Sequence, residues 1–130
     1  MKVSMSLIPV LAGSALMLGL AASTGTAHAA DWCNTTAVCL YDNTDYTVKL
    51  EERSDSISRT DLGVDGAGNS KQDRASAHIN NRTKAACVYR EKKNVSSSAS
   101  YTLSAHSQEA WGWGAFPHDR VRSWRTNGGC

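Results

Sequence analysis

The chain has no charge block and no basic stripe: its 14 lysines and arginines are interleaved with 12 acidic residues. Non-specific nucleic-acid binding needs several convergent phosphate contacts, so nucleic acid is excluded as a partner class. The four cysteines form no close CxxC pair and no Cys/His cluster, which makes zinc the weaker reading for them. Serine is abundant, yet no nucleophile elbow and no paired-histidine metal motif accompanies it, and once His28 is set aside only His78, His106 and His118 remain. An enzyme is therefore not expected. Past residue 30 there is no apolar stripe of helical period long enough for a structural helix, which leaves an all-β chain.

The N-terminus reads as a secretory signal. Lys2 supplies a positive start, 7–20 is a mainly apolar run, and Ala27-His28-Ala29 has the small-x-small pattern of a cleavage site. The run is shorter than the roughly 20 residues a membrane span needs, and no basic stop-transfer cluster follows it. No cysteine lies near the cleavage region to carry a lipid. The expectation is a signal peptide over 1–29 and one small secreted domain over 30–130, monomeric and without stable membrane association. In an exported chain the even set Cys33, Cys39, Cys87 and Cys130 reads as two disulfides, covalent help that so small a core requires. Sequence proximity favours Cys33 with Cys39 and Cys87 with Cys130; pairing Cys39 with Cys87 is the chief rival.

The later chain contains a duplication. Cys39-Leu40-Tyr41 recurs as Cys87-Val88-Tyr89, and Asp73-Arg74-Ala75-Ser76 recurs as Asp119-Arg120-Val121-Arg122, at nearly the same offset. A unit of that length cannot bury its apolar face alone, so two units, about 37–82 and 85–126, must pack on each other. Strand signals fall at Val38 to Tyr41, Tyr46 to Leu50, Ser56 to Leu62 and Ala75 to Asn80. They return at Ala86 to Tyr89, Ser96 to Ser104 and Val121 to Trp124, with a short helical turn near Ser107 to Ala110. In the fourth segment Ala75, Ala77 and Ile79 are expected on a covered face, and Ser76, His78 and Asn80 on a wetter one. Trp111, Trp113, Trp124 and Phe116 are large enough to fill a small sandwich core, while Trp32 is expected to cover the Cys33 end.

These repeated strings, in this order and behind an export signal, resemble the actinobacterial secreted βγ-crystallin-like peptidase inhibitors, the family of the Streptomyces metalloproteinase inhibitor. The resemblance spans nearly all of Cys33 to Trp124. It implies two Greek keys packed as a disulfide-stabilised βγ-crystallin-like sandwich, and inhibition of an extracellular peptidase, of the metallopeptidase class. The second class kept in view is a secreted non-enzymatic binding or structural module, with a calcium, cell-wall glycan or antimicrobial role. The resemblance further implies calcium loops at Gln72 to Ala77 and His118 to Ser123. Here Gln72 and His118 replace the usual acid or amide, Ala77 lacks the final hydroxyl, and Arg122 puts a positive charge where the first hydroxyl belongs. The calcium expectation narrows to a weak site drawing on Asp73, Ser76, Asp119 and Ser123, and no cofactor is required. For inhibition the physical need is an exposed, preordered loop. Three segments qualify for comparison: the Gly-rich Asp61 to Gln72, the polar Lys92 to Ser100, and the Cys33–Cys39 loop.

Overall fold

A computed structural model describes residues 32–96 and 99–130; the signal-peptide reading of 1–29 and the cleavage site lie outside them. The described residues form eight strands: β1 Val38–Tyr41, β2 Lys49–Arg53, β3 Thr60–Asp61, β4 Ala77–Asn80, β5 Ala86–Tyr89, β6 Ser100–Leu103, β7 Ser107–Ala110 and β8 Ser123–Arg125. Ser107 to Ala110, read from sequence as a helical turn, is therefore a strand, fixed by antiparallel pairing with β4 from Ala77↔Ala110 to Asn80↔Ser107. Lacking a helical apolar stripe of its own, the segment takes its structure from its neighbour.

Two antiparallel four-stranded sheets have the orders β2-β1-β4-β7 and β3-β8-β5-β6. In each half the fourth strand returns to lie beside the first, as a Greek key requires, while the third strand crosses to the other half's sheet. Advancing every strand number by four converts β2-β1-β4-β7 into β6-β5-β8-β3. The duplicated strings thus lie at corresponding places: Tyr41 ends β1 and Tyr89 ends β5, and Asp73 and Asp119 precede β4 and β8.

The inter-sheet core gathers Val38, Leu40, Leu50, Leu62, Val88, Leu103, Val121, Trp111 and Trp124, with Phe116 packed against it. The other two tryptophans depart from expectation. Trp113 is 82% and Trp32 86% exposed, so among the described residues neither joins the core. Both are outside the strands. Trp111 also lies outside them, but it follows β7 directly and its amide donates to the Ser76 carbonyl, which turns it inward to the core.

The polarity of β4 is inverted relative to its sequence pattern. His78 pairs with Leu40 and Asn80 with Val38, so the polar side chains share the face that lines the inter-sheet core. Ala77 joins Cys33, Ala37, Cys39 and Tyr41 in a second cluster on the opposite face, with Ile79 and Tyr46 against it. Both faces are covered, and Asn80 is satisfied locally: its amide donates to the carbonyls of Lys84, Leu103 and Ser104 at 3.0 to 3.1 Å. Alternation revealed the strand but not which side faced the partner sheet.

Cys33 bonds to Cys39 and Cys87 to Cys130, the pairing that proximity favoured. The second bridge draws the terminus onto β5 and β6, where the Cys130 amide donates to Thr102 Oγ1 at 3.1 Å. Chain and sheet approach so closely that a Cβ on Gly129 would meet the Thr102 methyl at 3.1 Å.

Candidate functional site

The two Asp-Arg loops meet across the pseudo-twofold. Asp73 and Asp119 both have positive φ, 59° and 51°, a conformation that short polar side chains tolerate. The Asp73 amide donates to the Val121 carbonyl and the Asp119 amide to the Ala75 carbonyl, each at 2.9 Å, so each loop is held by the other repeat. Side-chain pairing across the repeats accompanies these backbone bonds. Arg122 Nε lies 3.0 Å from both oxygens of Asp73, and the Ser76 hydroxyl donates to Asp119 at 2.9 Å.

Of the four residues considered for calcium, only Ser76 and Asp119 face each other. Asp73 is occupied by the Arg122 guanidinium. Ser123 is fully buried elsewhere, donating to the Glu91 carbonyl and accepting from Arg59. The one His/Cys/acid cluster among the described residues joins Glu52 to Cys33 and Cys39, whose sulfurs are already in a disulfide.

Asp42, Asn43, Ser76 and Asp119 correspond by the duplication to Arg90, Glu91, Arg122 and Asp73, and the two sets line equivalent clefts. The first cleft, about 400 Å³, is completed by Trp113 and His118. The Trp113 ring is tilted 38° to that of buried His118, centroids 4.4 Å apart. The second cleft has no aromatic residue and contains the Arg122–Asp73 pair.

The Gly-rich loop is packed. Asp65 Oδ1 accepts the amides of Ala67 and Asn69 at 2.9 Å, Val64 bridges Ser70, and the Lys71 amide donates to the Gly63 carbonyl. Arg74 ties this loop to the β1–β2 turn, reaching Asp65 at 3.0 Å and Asp42 at 2.6 Å. The Asn69 amide first, then Arg74, holds the Asp65 carboxyl down at about 2.

Glu91 to Val95, after β5, are held by a residue without any sequence signal. The Arg59 guanidinium donates to the carbonyls of Glu91, Lys92 and Val95 at 2.9 to 3.0 Å, and lies 4.1 Å over the Tyr89 ring. The Lys93 amide also donates to Asp61 at 2.6 Å, joining the bases of two candidate loops. Lys92 to Ser96 are exposed around this anchor, whereas Ser97 and Ser98 lie outside the described residues. In the third candidate, the Cys33–Cys39 loop, only Asn34, Thr35 and Thr36 are exposed.

His78, expected at the surface, is 1% exposed. Its Nε2 lies 3.0 Å from the Ser107 hydroxyl, its ring 5.6 Å from that of Trp111, and its Nδ1 lacks a partner among the described residues. Burial pushes its pKa down to about 4, opposed only by the Glu109 carboxylate. The clefts found among the described residues do not include His78, and the Ser107 hydroxyl beside it donates to the Ser104 carbonyl at 2.6 Å.

Among the described residues, no helix is long and apolar enough to cross a membrane. The family model described as peptidase inhibitor family I36 matches residues 26–102, more than half of the chain. No curated protein and no solved structure matches it.

Proposed function

Because the chain belongs to peptidase inhibitor family I36, we propose that it is exported and blocks an extracellular peptidase of the metallopeptidase class. The family match over residues 26–102 is the observation that carries this reading. The signal-like N-terminus and the duplicated strings behind it support export and the metallopeptidase assignment. The protein acts as a monomer, by occupying a cleft rather than by chemistry of its own.

Preordering supports the same reading. Fixing backbone on binding costs about 1–2 kcal/mol per residue, so a loop already held in one conformation binds at a lower entropic cost. Gly63–Lys71 meets that condition through its own hydrogen bonds and Glu91–Val95 through Arg59, and the Lys93 amide joins the second loop to Asp61, two residues before the first. We place the peptidase contact at this paired end.

The test is inhibition profiling of the oxidised protein against secreted metallo-, serine and cysteine peptidases. Nanomolar inhibition confined to metallopeptidases is expected; no inhibition of any class at micromolar protein would discard the reading. Arg59→Ala should release the β5–β6 loop and raise the inhibition constant about tenfold or more, with the fold checked by circular dichroism. An unchanged constant would move the contact away from this loop.

Calcium is not needed for this function. The oxygens of Asp73 are already held by Arg122, and Asp119 with Ser76 supplies too few ligands for a hard cation that takes six to eight. About 1 mM calcium should therefore move the melting temperature by under about 1 °C. A rise of several degrees would reveal a sub-millimolar site and reverse this assignment.

A further inference from the structure

We propose that Trp113 and the Asp42–Asp45 turn form a binding subsite for a neutral saccharide ring. This goes beyond peptidase inhibition. Trp113 and His118 both lie outside the segment that carries the family match.

The indole is presented to solvent rather than left there by default. Gly112 and Gly114 flank it, the latter at φ +82°, and His118 backs one ring face at 4.4 Å while the ring stays 82% exposed. A flat aromatic surface with an open face suits the apolar C–H face of a pyranose. Carboxylate, amide and hydroxyl groups at its edge suit the hydroxyls. Those edge groups come from Asp42, Asn43, Thr44 and Asp45, which line the same cleft of about 400 Å³, the size of a small-ligand pocket.

The turn that supplies them is itself fixed. Asn43 Nδ2 donates to Thr47 Oγ1 at 2.8 Å, and Asp45 Oδ1 accepts both the hydroxyl and the amide of Thr47 at 2.6 and 3.1 Å. Arg74 neutralises Asp42 at 2.6 Å, and Asp119 accepts the neutral Ser76 hydroxyl at 2.9 Å; each carboxylate keeps lone pairs for a hydroxyl donor, and the open indole face favours a sugar ring over a basic side chain. The equivalent cleft of the other repeat is an internal comparison: with Arg90, Arg120 and Arg122 and no aromatic ring, it lacks the platform.

The test is titration of the oxidised protein, in EDTA, with N,N′,N″-triacetylchitotriose, cellotriose and maltotriose, followed through the Trp113 indole N–H and the Thr44 amide by NMR. At least one trisaccharide should shift both signals with a dissociation constant on the order of 1 mM, as one weakly buried ring allows. Trp113→Ala should weaken that binding at least tenfold, read from the Thr44 amide, while Trp113→Tyr keeps part of it. Trp113→Tyr should unfold at the wild-type temperature and Trp113→Ala within a few degrees of it, since the side chain is mostly exposed and packs on the His118 ring. Three results overturn the proposal: no shift by any sugar up to about 10 mM, equal binding by Trp113→Ala, or tighter binding of trilysine than of every sugar at these two signals.

Discussion

Replacing Cys87 and Cys130 together by serine is expected to destabilise the protein by about 4 kcal/mol, because that bridge spans 43 residues of sequence. The loss is a large share of the roughly 5–15 kcal/mol that a small domain possesses. It corresponds to a fall in melting temperature of roughly 20 °C. The bridge fastens the terminal segment to β5, beside the Cys130–Thr102 hydrogen bond, so its removal also frees the chain end. Cys33–Cys39 closes only a six-residue separation and is worth about 2 kcal/mol by the same chain-entropy reasoning. Thermal unfolding of the two double-serine variants checks both figures. If the Cys33/Cys39 variant proves the less stable of the two, loop closure is not the main source of the effect.

Acidification should have the second large effect, through His78. Its folded pKa of about 4 lies below its ordinary 6.5, because the imidazolium form is penalised between the sheets. The unfolded chain therefore takes up a proton that the folded one refuses. Stability from this residue is complete above about pH 6.5, declines as pH falls toward 4, and levels off below that. The total loss is on the order of 3 kcal/mol at about 1.4 kcal/mol per pH unit. Glu109, which pairs with His78 across β4 and β7, opposes the shift but accepts the Tyr101 hydroxyl at 2.5 Å. Urea unfolding between pH 7 and 4 measures the slope, and the His78 Cε1 proton should titrate near 4. A midpoint near 6.5 would show that the ring is solvated, and the predicted slope would vanish.

The strands rich in β-branched, aromatic and aliphatic residues were the readable ones: Val38 to Tyr41 and Ala86 to Tyr89 are strands because their residues suit a covered sheet on either face. The hairpin after β1 was harder. Tyr46 and Val48 alternate as strand residues would, but both have positive φ, and Tyr46 turns back edge-to-face on Tyr41 at 5.7 Å, so β2 begins only at Lys49. Ser56 to Leu62 yields just the two residues Thr60–Asp61, because only these pair with β8, at Trp124 and Ser123. The cleft was half legible. Asp73 and Asp119 stand out in the repeat, whereas their true partners, Arg122 and Ser76, follow from a crossing of the two halves that no local window contains. Arg59 is the extreme case: it acts on carbonyls 32 to 36 residues away.

Each half of the molecule lends its third strand to the sheet of the other, with β3 beside β8 and β7 beside β4. A chain carrying one half alone would leave one sheet a strand short and hold a surplus strand with nowhere to dock. Such a chain completes its fold only by trading that strand with an identical copy. The present protein is, in architecture, an exchanged homodimer whose two subunits have been joined end to end. The two equivalent clefts are accordingly free to differ, one closed by the Arg122–Asp73 pair and the other flanked by Trp113.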